Sequence, residues 1–168
     1  PVHLLFINLL TDSLPAIAIG MEPPREDLLN QKPRNPKESI MSKDFMLTLL
    51  VQGAIIGVFV MAAYHIGLSA GGAALASTMA FATLTLARLF HGFNCRGTRS
   101  IFRLPMNPFC FGAFVVGAVL LFAVLCIPAL HGLFDISNAL TGSDILKIVG
   151  FAFLPTLLIQ LFRAVRGK

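Results

Sequence analysis

Three oxygen-bearing side chains stand close together in the apolar segment that opens the chain. Asn8, Thr11 and Asp12 lie at positions i, i+3 and i+4, so they would share one face of an α-helix. They offer an amide oxygen, a hydroxyl and a carboxylate, which are the kinds of ligand that hard cations such as Ca²⁺ take. A carboxylate inside hydrocarbon is costly unless it is paired, hydrated, protonated or bound to a cation. We therefore predict cation binding at Asp12, with a proton path or hydrogen bonding between helices as the two alternatives.

Pro15 should interrupt the helix beside these residues. Proline has no N–H and cannot bond the carbonyl of Thr11, so the helix is expected to loosen and expose carbonyl oxygens near Asp12. Unwound helix near the bilayer midplane is a recurring device in ion transport. Because Ca²⁺ takes about 6–8 oxygen ligands, other helices must contribute, and this chain offers no obvious candidates for them.

The composition indicates an integral membrane protein. Of the 168 residues, 56% are apolar and 12% are charged, whereas a soluble domain carries about 25% charged residues. There is too little polar surface to cover a soluble globule. The three cysteines are odd in number and show no pairing pattern, so we expect no disulfide framework.

Five apolar stretches are long enough to cross a bilayer as helices, since a span needs about 20 residues. The fold class predicted is all-α and polytopic, because an open sheet cannot satisfy its backbone in lipid. Residues 22–44 form a long polar connection, predicted to be cytoplasmic. The predicted helices are residues 2–21, 45–68, 73–93, 109–130 and 144–162.

The basic residues predict the orientation in the membrane. Every Lys and Arg except Lys147 lies in the connection 22–44, in the third span and the loop after it, or in the C-terminal tail. Positive residues near a membrane mark its cytoplasmic side, so residue 1 is predicted outside and the C-terminus inside. Topology thus explains the net charge of +5, and we expect no nucleic-acid partner.

Two motifs carry a resemblance to a known family. NLLTDSLPAIAIGMEPP (residues 8–24) resembles the sixth transmembrane helix of P-type cation pumps, especially calcium-transporting ATPases, whose pattern reads like N-x-x-T-D-[G/S]-x-P-A. KPRNPKESIMS (Lys32–Ser42) is similar to the cytoplasmic loop that follows this helix. The later spans match helices seven to ten in number and orientation. The resemblance therefore covers essentially the whole chain.

The resemblance implies a function for the chain and for its parent. In the family, the residues matching Asn8, Thr11 and Asp12 ligate the transported ion, and the fourth and fifth helices supply further ligands. Those helices are absent here, as are the motifs D-K-T-G-T and T-G-E. We therefore expect the C-terminal membrane part of a Ca²⁺-transporting translocase that cannot hydrolyse ATP by itself.

The expected partners follow from the same resemblance. They are the lipid bilayer, in a plasma membrane, and the N-terminal helices and cytoplasmic domains of the same polypeptide, where ATP and Mg²⁺ would bind. Two rival readings stay open. One is a Mn²⁺ or Na⁺/K⁺ pump; the other is a free-standing five-helix membrane subunit.

Arg88 departs from the family pattern. Two-ion calcium pumps carry a glutamate in the eighth helix, at the position that falls on Arg88 here. A guanidinium would repel a second cation and supply a built-in counter-charge. This predicts export of one Ca²⁺ per cycle, with Asp12 in the retained site and with proton counter-transport. The alternative is that Arg88 extends to the inner interface as a topology anchor.

Two further features are assigned by resemblance. Gly53 and Gly57 form a G-x-x-x-G pair, which allows close helix approach; the family packs a similar pair against its fifth helix, and ordinary lipid-facing glycines are the alternative. The loop after the first span would contact the phosphorylation domain and couple ATP use to ion movement, or else be a plain solvated connector. The loop residues concerned are Arg34, Pro36, Lys37 and Glu38.

Overall fold

Helices form every regular element in the part of the chain that the structure describes. This computed structural model describes residues 2–22, 41–97 and 106–165, without the side chains of Leu10, Thr11 and Val165. The predicted all-α membrane fold is confirmed within these ranges. The elements are α1 (Val2–Phe6), a π-helical segment (Ile7–Thr11), α2 (Ser13–Gly20), α3 (Lys43–Cys95), α4 (Pro108–Cys126), α5 (Pro128–Phe134) and α6 (Gly142–Val165).

Among the described residues, four stretches of helix are long and apolar enough to cross a membrane. The first joins α1, the π segment and α2, and the others belong to α3, α4 and α6. Their bounds are Val2–Gly20, Lys43–Cys95, Pro108–Cys126 and Gly142–Ala164.

α3 is two arms joined at a glycine pair. A straight helix of its 53 residues would be about 80 Å long, far beyond a hydrocarbon core of about 30 Å. Gly71 and Gly72 leave the helical region, and Gly72 has a φ of 75°, which glycine adopts without steric cost. Gly67 lets the arms meet, since a Cβ there would lie 2.7 Å from Ala76 Cα. The arms, 43–70 and 73–95, lie where the sequence predicts the second and third spans.

Local sequence accounts for the ends of α3 and α4. The Ser42 hydroxyl accepts from Phe45 N at the start of α3, which is a usual N-cap arrangement. α4 ends at Cys126, before the predicted Leu130, and Pro128 opens α5. Proline cannot donate to the carbonyl four residues back, so the helix breaks there and a short second helix begins.

The core lies between the second arm of α3, α4 and α6. Leu75, Met79 and Leu89 of α3 pack there with Leu121 of α4 and Ile148 of α6, all essentially inaccessible to solvent. The first arm of α3 is far more exposed along its length. The first membrane segment packs against the second arm of α3 and against α4.

Aromatic packing attaches the start of that first segment to the core. The Phe6 ring lies 5.9 Å from the Phe81 ring and 5.4 Å from the Phe134 ring, both edge to face. His3 stacks on Phe81 and its Nε2 contacts the Phe134 carbonyl. α1 is thereby held against α3 and α5.

Candidate cation site

The backbone departs from an α-helix just before Asp12. Asp12 N donates to Ile7 O at 2.9 Å, five residues back, rather than to Asn8 O as an α-helix requires. The Ser13 hydroxyl donates to the Asn8 carbonyl instead, at 3.2 Å. π turns of this kind are rare and occur often at functional sites. The irregular turn lies before Pro15, which is in the first turn of α2.

The side chain of Asp12 forms an ion pair with Arg88. Arg88 Nη2 lies 3.0 Å from Asp12 Oδ2, and the two side chains are 41% and 35% exposed. Arg88 extends from the second arm of α3, where its neighbours Ala87 and Leu89 are buried in the core. Those neighbours fix the position of this part of α3. From there the guanidinium of Arg88 reaches Asp12, the residue just before α2. Direct contact between these two residues was not among the sequence predictions.

The other predicted ligands are placed less fully. Asn8 is exposed, and the side chain of Thr11 lies outside the description. A π turn also holds more residues than an α turn, so the shared face deduced from ideal helical spacing no longer follows simply from the spacing. The grouping of Asn8, Thr11 and Asp12 around one ion stays a prediction. Within the described ranges, no group of three or more His, Cys, Asp or Glu residues could hold a metal.

One side of this segment is packed and the other is open. Ala18 of α2 is buried against Cys110 and Ala113 of α4, and Pro15 lies close to Gly92 of α3, where a Cβ would be 3.3 Å from Pro15 Cβ. The opposite side exposes large apolar side chains, each more than 60% accessible. These are Leu4, Leu5, Leu9 and Ile17.

A second ion pair lies beyond the other end of α2. Glu22 accepts hydrogen bonds from Arg96 Nη2 at 2.7 Å and Arg96 Nε at 3.0 Å. The hydrogen bond to Glu22 raises the pKa of Arg96 above its ordinary value. Sequence reasoning missed the pair. An acidic residue directly after an apolar span, on the side richest in arginine, was the available signal.

The remaining predicted residues fall outside this site or outside the description. Arg34, Pro36, Lys37 and Glu38 lie outside the described residues. A Cβ built on Gly53 or on Gly57 meets no atom within 4 Å. Nothing in the described part of the chain therefore packs closely on that glycine pair.

The sequence was compared with protein families and with curated proteins, and both comparisons match nearly the whole chain. Residues 1–165 match the family described as "Cation transporting ATPase, C-terminus". The chain is 37% identical over 163 residues to the calcium-transporting ATPase of Bacillus subtilis (strain 168), which covers 95% of this chain and 18% of that protein.

Two other bacterial relatives align over nearly the entire chain. Calcium-transporting ATPase 1 of Lactococcus lactis is 30% identical, covering 99% of this chain and 19% of that protein. A calcium-transporting ATPase of Listeria monocytogenes is 31% identical, with the same coverage of 99% and 19%. The chain thus spans about a fifth of the length of the curated relatives that it matches.

Proposed function

We propose a function from one premise: this chain belongs to the P-type cation-transporting ATPases and forms their C-terminal membrane region. The ion moved by the whole pump is Ca²⁺, the ion that the names of the relatives carry. The observation that supports a role for this chain in ion binding is the Asp12–Arg88 contact. It puts an acid inside an apolar segment, compensated by a charge that a bound cation can replace.

Asp12 supplies the negative charge of the proposed site. Asn8 and Thr11 add neutral oxygens, and the rearranged turn before Pro15 brings backbone carbonyls to the same depth. Ca²⁺ needs more oxygen ligands than these residues provide. The exposed apolar side of α1 and α2 is where other helices of the same polypeptide would pack and complete the coordination.

Arg88 limits the site to one ion in this proposal. With no ion bound, its guanidinium neutralises Asp12 at 3.0 Å. When Ca²⁺ takes the carboxylate, Arg88 is released but remains nearby, and its fixed positive charge repels a second cation. One Ca²⁺ is therefore moved in each cycle.

Proton counter-transport fits only a state in which the two side chains have separated. Asp12 would take up a proton once Arg88 has moved away and the Ca²⁺ has left. The direction of transport is export across a plasma membrane, with the C-terminus of the chain in the cytoplasm.

Coupling to ATP involves parts beyond this membrane region. ATP and Mg²⁺ would bind in the cytoplasmic domains of the whole pump. The segment containing Arg34 and Lys37 would contact the phosphorylation domain and pass its movement to α2. Gly53 and Gly57 would seat the first arm of α3 against a helix from the N-terminal part of the same polypeptide.

The first test is ATP hydrolysis by the full-length protein titrated with Ca²⁺, Mn²⁺, Na⁺ and K⁺. We expect activation by low Ca²⁺ concentrations, lost in Asp12→Asn. This variant keeps the shape of the side chain and removes its charge. Activation by another ion would overturn the Ca²⁺ assignment, and activity that ignores Asp12→Asn would overturn the ion site.

Stoichiometry needs a separate measurement. The number of Ca²⁺ ions moved per ATP hydrolysed is counted in sealed vesicles for the wild type and for Arg88→Glu. We expect one ion in the wild type and a higher ratio in the variant, because a repelling charge becomes a carboxylate ligand. An unchanged ratio in an active variant would contradict the repulsion.

A further inference from the structure

Three residues join the ends of three helices at the far end of α2. Glu22 follows α2, Arg96 follows α3, and Asn107 precedes α4. Arg96 grips both carboxylate oxygens of Glu22, at 2.7 and 3.0 Å, and its side chain is only 4% exposed. Asn107 Nδ2 donates to Glu22 Oε2 at 2.6 Å. We call Glu22, Arg96 and Asn107 the clasp.

Asn107 ties the clasp to the backbone of two helices. Its Nδ2 also donates to the carbonyl of Ala18, at 3.2 Å, in the last turn of α2. Its Oδ1 accepts from Phe109 N at 2.9 Å and from Cys110 N at 3.3 Å, capping the start of α4. Asn107 is 2% exposed. Every side-chain group of this residue is thus committed to holding α2 and α4 together.

The clasp and the Asp12–Arg88 pair connect the same two elements in the same order. Asp12 lies just before α2 and Glu22 just after it, while their partners Arg88 and Arg96 lie about two turns apart at the end of α3. α2 and this part of α3 therefore run parallel, with two charged cross-links. One cross-link holds the candidate ion ligand and the other lies at the opposite end of α2.

The two cross-links differ in how firmly they are built. The Asp12–Arg88 pair has one close contact and more than a third of each side chain exposed. The Glu22–Arg96 pair has two hydrogen bonds, a third from Asn107, and a nearly inaccessible guanidinium. Bidentate arginine–carboxylate contacts combine strength with a fixed geometry. The first cross-link is suited to opening and the second to staying closed.

We propose that the clasp is a positioning device that holds α2 against α3 while Asp12 exchanges Arg88 for the transported ion. This rests on the proposed function of Asp12 as an ion ligand. The π segment before Asp12 lacks the regular α-helical hydrogen bonds and is a poor guide for the direction of α2. The orientation of α2, and with it the position of the carboxylate, is then set from the clasp.

The expected signature is a change in ion affinity that exceeds the change in maximum rate. If the clasp opens, Asp12 is no longer held where the other ligands converge, so more Ca²⁺ is needed. We expect Glu22→Gln to raise the half-saturating Ca²⁺ concentration about tenfold, in the range of coupling seen for neighbouring residues in one network. The maximum rate should stay within about twofold, because truncation of a positioning contact need not alter the later chemical steps.

The experiment measures Ca²⁺-activated ATP hydrolysis by the full-length protein in vesicles. Asn107→Asp is the sharpest variant, because it keeps an oxygen to cap α4 and places a second carboxylate against Glu22. Asn107→Ser, which keeps a capping oxygen but loses the donor, should have a smaller effect. Lys147→Gln, which breaks an ion pair on α6 at 2.9 Å, is the matched control and should leave Ca²⁺ affinity unchanged.

A charge exchange separates positioning from a general loss of folding. Glu22→Arg combined with Arg96→Glu restores an opposite-charge pair and should recover most of the Ca²⁺ affinity lost in either single variant. The proposal is overturned if Glu22→Gln and Asn107→Asp leave the half-saturating Ca²⁺ concentration unchanged. It is equally overturned if the maximum rate falls alone, or if the exchange recovers nothing.

Failure of this proposal differs from failure of the proposed function. Suppose that Ca²⁺ activates the wild type, that Asp12→Asn abolishes this activation, and that the clasp variants leave the Ca²⁺ affinity unchanged. That result refutes the positioning role alone. A wild type that Ca²⁺ does not activate refutes the function on which the role rests.

Discussion

Replacement of Arg88 by glutamine should make the pump bind Ca²⁺ more tightly. In the proposed mechanism the guanidinium competes with the cation for Asp12, since Nη2 and Oδ2 are 3.0 Å apart. Glutamine has a similar reach and no charge. The ion-free state then loses a stabilising contact that the ion-bound state lacks, so the balance moves toward bound Ca²⁺.

The structure sets the size of this effect. Two unit charges at 3.0 Å attract by about 1.4 kcal/mol in water and about 5.5 kcal/mol at an effective dielectric constant of 20. Both side chains are more than a third exposed in this chain, so solvent screening leaves about 1 kcal/mol. A change of about 1 kcal/mol lowers the half-saturating Ca²⁺ concentration about fivefold.

The assay is a Ca²⁺ titration of ATP hydrolysis by the full-length protein, wild type against Arg88→Gln. Arg88→Lys is the control, because it keeps the positive charge and should stay near the wild type. A half-saturating concentration that is unchanged or higher in Arg88→Gln would refute the competition and would favour Arg88 as a topology anchor.

Three further predictions concern packing and helix ends. Gly117→Val should lower the free energy of unfolding by about 1–3 kcal/mol, measured by thermal unfolding in detergent, because a Cβ there would lie 2.6 Å from Leu89 Cδ2; Gly112→Val, with open space around it, should be tolerated. Gly53→Leu should leave this chain's own packing intact but reduce Ca²⁺-activated ATP hydrolysis by the full-length protein, because another helix of the pump is proposed to pack there. Full activity would indicate a lipid-facing glycine instead. Arg163→Gln should destabilise the protein by about 1–2 kcal/mol, because Arg163 Nη1 donates at 2.9 Å each to the carbonyls of Asn94, in the last turn of α3, and Gly97, just after it. The loss should appear as a lower melting temperature; an unchanged melting temperature would mean that water replaces these bonds.

Much of the fold can be predicted from the apolar stretches of the sequence and from its helix-breaking glycine and proline residues. Apolar stretches of bilayer length predict helices, because lipid leaves the backbone no other partners. Gly71 and Gly72, beside further small residues, predict a turn between two spans, and the structure breaks α3 there. The structure also divides the predicted fourth span at Pro128. Proline removes a hydrogen-bond donor and so signals this break, but the continuous apolar run favoured a single helix.

The sequence predicts which residue types form the candidate site but not how they are arranged in space. An acid among apolar residues, with Pro15 close by, is conspicuous in any sequence. The π turn leaves no such signal in the sequence, because it depends on how α1 and α2 are each packed against the other helices. The shared face of Asn8, Thr11 and Asp12 therefore stays a prediction from ideal helical spacing.

The sequence by itself determined that this protein is a helical membrane protein with an acid in its first span and a family motif around it. These properties reside in single segments, so local chemistry suffices to reveal them. Only the tertiary structure decided that Arg88 meets Asp12 and that Arg96 and Asn107 hold Glu22. Such contacts join residues far apart in the chain, and the packing of whole helices determines which charged side chains come within reach of one another.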